Sequence, residues 1–289
     1  MLSIKPHGGI PHIISFRLHL NSKYENIWGN LFCQTIGVKG IKDTCDMNQV
    51  IKLLKNHRSI REFTQEPVND EMVSTIVEAA GCASTSNFVQ AYTVIRVRNK
   101  KTRKQIAELA GFQSWVKRSP VFLVFCADLK RAEMACSYEN REMVSGFTEQ
   151  FIIATVDVSL VAQNAMIAAE SLGLGGVFIG GIRNDPEKVC DLLRIPEHVY
   201  PAFGMCLGYP AGEQEQKPRL PVDVVLKEEK YQADEAELVK YNELCSDYYR
   251  SRSRGPRDET WTPQISTMMS KPLRPHMRAF LEKKGFKFK

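Results

Sequence analysis

Residues 149–181 read EQFIIATVDVSLVAQNAMIAAESLGLGGVFIGG. From Glu149 to Leu172 apolar residues cover most of a helical circumference, which marks a helix at the centre of its domain rather than one with a single buried stripe. Gly173 and Gly175 then end it, and Gly176 to Gly180 is a short run suited to a strand. The glycines therefore follow a helix and precede a strand. A dinucleotide-binding turn needs the reverse order, and the GxGxxG spacing is absent as well. What remains to these glycines is close approach of a ligand to the backbone.

Outward from this stretch, helices and strands alternate without a clean βαβ repeat. Met47 to Asn56 is an amphipathic helix with Val50, Ile51, Leu53 and Leu54 apolar. Asn69 caps a second helix, with Asp70 and Glu71 in its first turn and Met72, Ile76, Ala79 and Ala80 along its apolar face. Tyr92 to Val97 is β-rich, Lys100 to Ala110 is a polar-faced helix, and Val121 to Ala127 is a continuous apolar run expected as a buried strand. Downstream, Asp185-Pro186-Glu187 opens a helix with proline in its first turn. Phe203 to Gly208 is a strand, Gly212 to Val222 a loop, and helices are expected over Glu235 to Ser251 and Pro263 to Lys284. This order favours an α+β fold over a doubly wound sheet.

The 289 residues are 43% hydrophobic and 25% charged, the balance of an ordinary globular chain. No uninterrupted apolar run reaches the roughly 18–20 residues of a spanning helix. The longest, Val158 to Ala169, is broken by Ser159, Gln163 and Asn164, so no membrane association is expected. A net charge of +6 is compatible with an anionic ligand without singling out nucleic acid. The eight cysteines form no CxxC pair and several lie among apolar residues, so they read as reduced thiols of a cytoplasmic protein. Residues 1–46 lack periodicity and the pattern of a secretory signal. They are expected to be a disordered or peripheral extension, dispensable for ligand binding, with a weak transit peptide as the alternative and Met47 as a sensible start. Residues 47–289 are then the functional domain.

Four clusters carry potential chemistry. His57-Arg58-Ser59-Ile60-Arg61-Glu62-Phe63 sets two guanidinium forks and a hydroxyl where the chain leaves a helix, a pattern suited to phosphate, although a solvated turn has the same composition. Ala83-Ser84-Thr85-Ser86-Asn87-Phe88-Val89-Gln90 is a run of small hydroxyl residues and then an aromatic, able to cap or to donate hydrogen bonds to a polar heterocycle, or is a plain loop. Lys217-Pro218-Arg219 is either a second half of a phosphate clamp or solvated charge. Arg250 to Arg257 holds four arginines in eight residues, readable as a site for RNA, a membrane surface or a phosphate, or as a solvated connector. The six histidines show no HxxxH or HExxH spacing, so no metal site is expected. GxSxG and GxxxxGK[ST] are absent.

Together these pieces resemble the nitroreductase superfamily. The HRSIRxF segment at His57–Phe63 is followed in order by Ala83–Gln90, Val124–Asp128, Ala162–Gly175, Phe178–Gly181, Lys217-Pro218-Arg219-Leu220-Pro221, Asp247-Tyr248-Tyr249 and Glu259-Thr260-Trp261. Within that superfamily the pattern is similar to the oxygen-insensitive NADPH nitroreductases and NADPH-dependent FMN oxidoreductases.

The resemblance implies an α+β fold with a central, mostly antiparallel sheet flanked by helices, in an intertwined homodimer with FMN at its interface. It assigns His57, Arg58, Ser59 and Arg61 to FMN, with Ser84, Thr85 and Ser86 reaching the flavin of the other subunit. Gln113 is assigned to the flavin ring, Phe178, Ile179, Gly180 and Gly181 to a stretch along it, and Lys217, Pro218 and Arg219 to the phosphate. Arg252 and Arg257 would grip the NADPH 2′-phosphate. Phe88 and Arg274 would face the substrate pocket. Hydride would pass from NADPH through FMN to a small-molecule acceptor such as a nitroaromatic, a quinone or free flavin, with no side chain acting as nucleophile. An RNA-binding protein using residues 250–257, and a same-fold reductive dehalogenase, are the alternatives.

Overall fold

The computed structural model describes residues 48–233, 235–252 and 255–289. The expectations for residues 1–46, and for Met47, lie outside the described residues. Asn48–Lys289 is one compact unit. Its elements are α1 (Gln49–Lys55), α2 (Asp70–Gly81), β1 (Tyr92–Arg96), α3 (Lys100–Leu109), α4 (Ser114–Arg118), β2 (Val121–Asp128), α5 (Lys130–Tyr138), α6 (Thr148–Ser171), β3 (Gly175–Ile179), α7 (Pro186–Leu193), β4 (Val199–Gly208), α8 (Val222–Val225), α9 (Glu235–Ser251), α10 (Trp261–Met269) and α11 (Met277–Lys283).

The sheet runs β1-β2-β4-β3 with every pair antiparallel, as the α+β reading requires. All eight residues of β2 are buried, which explains why the strand reads as an unbroken apolar run. Helix α6 packs against all four strands and α2 packs against α6. By length and composition α6 could cross a membrane; here it is the helix of the core, with Val158, Val161, Ala165 and Met166 fully buried. Its one deeply buried charge, Asp157, accepts from the backbone N–H groups of Ser86 (2.9 Å) and Ala91 (3.1 Å). That carboxylate clamps both ends of a loop in which Asn87, Phe88 and Gln90 all have positive φ. Such non-glycine conformations persist only where surrounding bonds impose them.

Helix starts follow the sequence cues. Asn69 caps α2 by accepting from Met72 N at 2.7 Å, and Asp185 caps α7 by accepting from Lys188 N at 3.2 Å. Two expectations need correction. The strand expected from Phe203 begins at Val199, because Pro201 is accommodated where the β2–β4 register shifts between Phe125 and Cys126. The single helix expected from Pro263 to Lys284 is two, α10 and α11. Pro272 and Pro275 lack the N–H a continuous helix needs and clash with the preceding turn; Arg274 between them adopts φ +48°. Pro263 is tolerated in the first turn of α10, where backbone N–H groups have no helical partner anyway.

Among the described residues, the amphipathic face expected of α1 stands exposed: Val50, Ile51 and Leu54 are 56%, 46% and 44% exposed. A second exposed row lies on α6, where Ile152, Val156 and Leu160 recur at four-residue spacing. Helix α1 also touches α6.

Candidate functional site

Two chain segments separated by about half the sequence are brought together by the edge of the sheet. Ile60 N donates to Gly176 O at 2.8 Å, and Ser59 forms a parallel bridge with Gly176, so residues 59–60 run beside β3. Thr64 N then donates to Tyr209 O, and Ala211 N to Glu62 O, which fastens the same segment to the exit of β4. This seam explains Gly175: a Cβ there would lie 2.4 Å from Ile60 Cγ1. The chain leaving β4 carries Lys217 and Arg219 back toward Arg58, and Gln216 donates to Lys55 O at the end of α1.

The result is a cavity of about 360 Å³ lined by His57, Arg58, Ser59, Arg61, Lys217, Arg219, Arg252 and Arg257, together with Glu215, Glu259, Tyr248, Tyr249 and Gln264. Seven basic side chains thus face two carboxylates. The Arg58 Nε is buried and has no hydrogen-bond partner. A buried guanidinium nitrogen left open is costly unless a ligand satisfies it. His57 Nδ1 lies 2.6 Å from Glu170 Oε1 on the last turn of α6, which fixes the imidazole beside Arg58.

Tyr249 is the platform of this cavity. Lys217 Nζ stands 5.5 Å and Arg252 Cζ 6.0 Å from its ring centroid, both within cation–π reach, and its carbonyl accepts from Arg257 N at 2.9 Å. Beneath it Tyr241, Cys245 and Trp261 form a small second core. Burial, followed by the contact with Cys245, pushes the Tyr241 phenol up to about 12, so it stays neutral, and it donates to Pro218 O at 3.0 Å, holding the Lys217–Arg219 arm.

The predicted ring contacts form a neighbouring group. Arg61 Cζ stands 5.8 Å from the Trp115 ring centroid; Trp115 Nε1 donates to Gln113 Oε1 at 3.1 Å; Gln113 Nε2 donates to Ala110 O at 2.9 Å. Gly181 is pressed against that pair, since a Cβ on it would fall 2.4 Å from Ala110 O and 2.7 Å from Gln113 Nε2. Phe178, next to last in β3, is exposed and packs edge-on against Phe203, with Ile179 buried beside it. Gly180 opens a single-turn helix running to Asn184, and Arg274 Nε donates to Asn184 Oδ1 at 2.9 Å, which places Arg274 at the far end of the same turn. Burial, and then the Arg274 charge, hold the nearby Arg183 guanidinium below its ordinary value.

Ser84, Thr85, Ser86 and Phe88 do not line the cationic cavity. They sit on the loop clamped by Asp157, and the Phe88 ring is 81% exposed. Sequence reading assigned no role to Glu170, Trp115, Glu215, Tyr249, Glu259 or Gln264. Glu170, Tyr249 and Glu259 lie within the segments that carry the family resemblance, but only the fold shows what they touch. Of the described arginines in this stretch, none stands without an acidic neighbour. Arg250 pairs with Asp258 at 2.9 Å, and Arg252 and Arg257 turn into the cavity.

Comparison with known proteins agrees with this architecture. The nitroreductase family model matches residues 54–209, and the model for the C-terminal domain of that family matches residues 217–289. The oxygen-insensitive NADPH nitroreductase of Salmonella typhimurium is 43% identical over 241 residues, covering 83% of this chain and 99% of that protein. The FMN reductase (NADPH) of Bacillus subtilis is 41% identical over 247 residues, again covering 83% and 99%. The solved structure of NADPH:FMN oxidoreductase from Vibrio harveyi, complexed with NAD+, matches with a TM-score of 0.77 at 37% identity, covering 84% of this chain and 100% of that one. On its antiparallel core, its stitched HRSIR segment and these matches, the chain belongs to the nitroreductase family.

Proposed function

We propose that this chain is an FMN-dependent NADPH oxidoreductase that works as a homodimer and reduces small electron acceptors in a ping-pong cycle. The observation that carries the reading is the convergence of Arg58, Lys217 and Arg219 on one cavity, with the Arg58 Nε buried and open. Those donors fit the phosphate of FMN, and Ser59 adds a hydroxyl beside them. The names of the relatives, which carry NADPH, FMN and nitroreductase, support the same assignment.

Bound FMN supplies hydride and electron transfer, chemistry that no side chain here performs. The chain's own residues bind, orient and tune. Arg58, Lys217 and Arg219 neutralise the phosphate. Arg61, held against Trp115, brings positive charge to the ring side and stabilises negative charge gained on reduction. Gln113 and the backbone at Gly180 and Gly181 would offer hydrogen-bonding groups to the ring, and the lack of a Cβ at Gly181 lets that turn pack against Ala110 and Gln113. Arg252 and Arg257 offer the cations that a 2′-phosphate rewards. NADPH and then the acceptor, a nitroaromatic, quinone or free flavin, occupy one site in turn, bordered by Phe88 and Arg274. The pairing of Arg250 with Asp258 favours this reading over RNA binding. Six described cysteines are unpaired thiols, which fits the cytoplasmic location we propose.

A two-substrate steady-state series tests the cycle. Parallel double-reciprocal lines for NADPH against a quinone are expected, whereas lines that intersect would show both substrates bound together and rule the cycle out.

The homodimer rests on the exposed rows of α1 and α6 and on the Ser84–Phe88 loop. Exposed apolar rows of this kind fit an interaction site, and a two-fold axis would let each loop reach the partner's flavin. Sizing of the flavin-loaded protein is expected to give twice the 32.8 kDa of one chain. A monomer retaining flavin and full activity would contradict it.

A further inference from the structure

The cations of the cavity fall into two kinds. Arg58, Lys217 and Arg219 have no carboxylate partner among the described residues. Arg252 and Arg257 each have one: Arg252 Nε lies 3.8 Å from Glu215 Oε2, and Arg257 Nη1 lies 3.6 Å from Glu259 Oε2. Both separations are too long for hydrogen bonds, and the Arg252 Nε, though buried, donates to nothing. The two arginines therefore keep donors for an incoming anion while standing next to fixed negative charge.

The carboxylate at 259 is held independently of Arg257. Glu259 Oε2 accepts from Gln264 Nε2 at 3.2 Å, and Gln264 Oε1 accepts from the Tyr249 hydroxyl at 3.3 Å. Glu215 likewise makes a further interaction of its own. An anion bound by Arg257 would therefore meet the Glu259 carboxylate held in place.

We infer that Glu215 and Glu259 are specificity-determining residues whose charges oppose the 2′-phosphate of NADPH at Arg252 and Arg257, restraining selectivity for NADPH over NADH and easing the departure of NADP+. The inference rests on the proposed NADPH site. Its physical basis is that a phosphate dianion gains attraction from two guanidinium groups and meets repulsion from two carboxylates that line the same cavity a few ångströms from them. In a ping-pong cycle the nucleotide must vacate the site before the acceptor enters, so a 2′-phosphate held by unopposed arginines would slow every turn.

The test uses the flavin-loaded enzyme and calorimetric titration with 2′,5′-ADP, which carries the 2′-phosphate, against 5′-AMP, which lacks it. Glu215→Gln and Glu259→Gln conserve shape and remove charge. Each is expected to tighten 2′,5′-ADP about two- to fivefold, the scale of partly exposed charge pairs, and to leave 5′-AMP unchanged. The NADPH-to-NADH ratio of kcat/KM should rise in step. If 2′,5′-ADP binds equally or more weakly in both variants, the carboxylates serve only to orient the arginines and the inference is overturned. Equal shifts for both probes would mean a general structural change and overturn it too. Arg252→Ala separates the layers: weaker 2′,5′-ADP binding in that variant keeps the NADPH site standing whatever the glutamates do, while unchanged binding removes the site and the inference with it.

Discussion

Changing Arg58 and Arg219 together to alanine is expected to strip the flavin from the protein. Each guanidinium faces the same cavity from a different chain segment, one beside β3 and one on the arm leaving β4. A charge-assisted hydrogen bond contributes about 1.5–3 kcal/mol. Loss of both corresponds to roughly a hundred- to ten-thousandfold weaker FMN binding, the upper end applying if the two act independently. Arg219→Ala alone should release FMN at moderate dilution. The measurement is the flavin-to-protein ratio after dialysis, followed by fluorescence titration of the apoprotein. The double variant should emerge colourless but folded, because neither side chain belongs to the hydrophobic core. Retention of one tightly bound FMN per chain would remove both residues from the phosphate site.

Arg252→Ala and Arg257→Ala are expected to lose NADPH efficiency by about ten- to hundredfold in kcat/KM, the cost of one charge-assisted contact. NADH lacks the 2′-phosphate, so its efficiency should scarcely change. Arg252 is the more telling of the two, since its Nε is already buried without a hydrogen-bond partner. Equal losses for both nucleotides would make residues 250–257 a structural connector. That outcome would leave the FMN assignment untouched, because Arg58, Lys217 and Arg219 do not depend on those two arginines.

The core was legible because its cues are local. The glycines after α6 exclude a dinucleotide turn by their order, Asn69 and Asp185 cap the helices they precede, and β2 is apolar on both faces because both are buried. The C-terminal helix was misread because apolar periodicity continues across Pro272 and Pro275, and two prolines outweigh it. Val199 to Ala202 escaped the strand reading because Pro201 looks like a break until the register shift in the opposing strand is seen. At the site, the residue types that meet anions were visible as clusters. What holds them in place was not. Glu170 on His57, Trp115 under Arg61, and Tyr249 under Lys217 are contacts between segments far apart in sequence, with no spacing rule to announce them. Nor does any local pattern show that Glu215 stands near Arg252. The row Ile152, Val156 and Leu160 was hidden for the opposite reason: α6 is apolar all round, so the sequence does not distinguish the face on the sheet from the face left open.

The central claim is that the cationic cavity holds FMN and that NADPH delivers electrons to it. The measurement that tests it most directly is the absorption spectrum of the purified protein under argon, before and after one equivalent of NADPH and then after a quinone. A yellow protein is expected, whose flavin bands bleach on NADPH addition and return with the acceptor. A colourless protein that takes up no FMN from solution, or a flavin whose bands NADPH leaves unchanged, would contradict it.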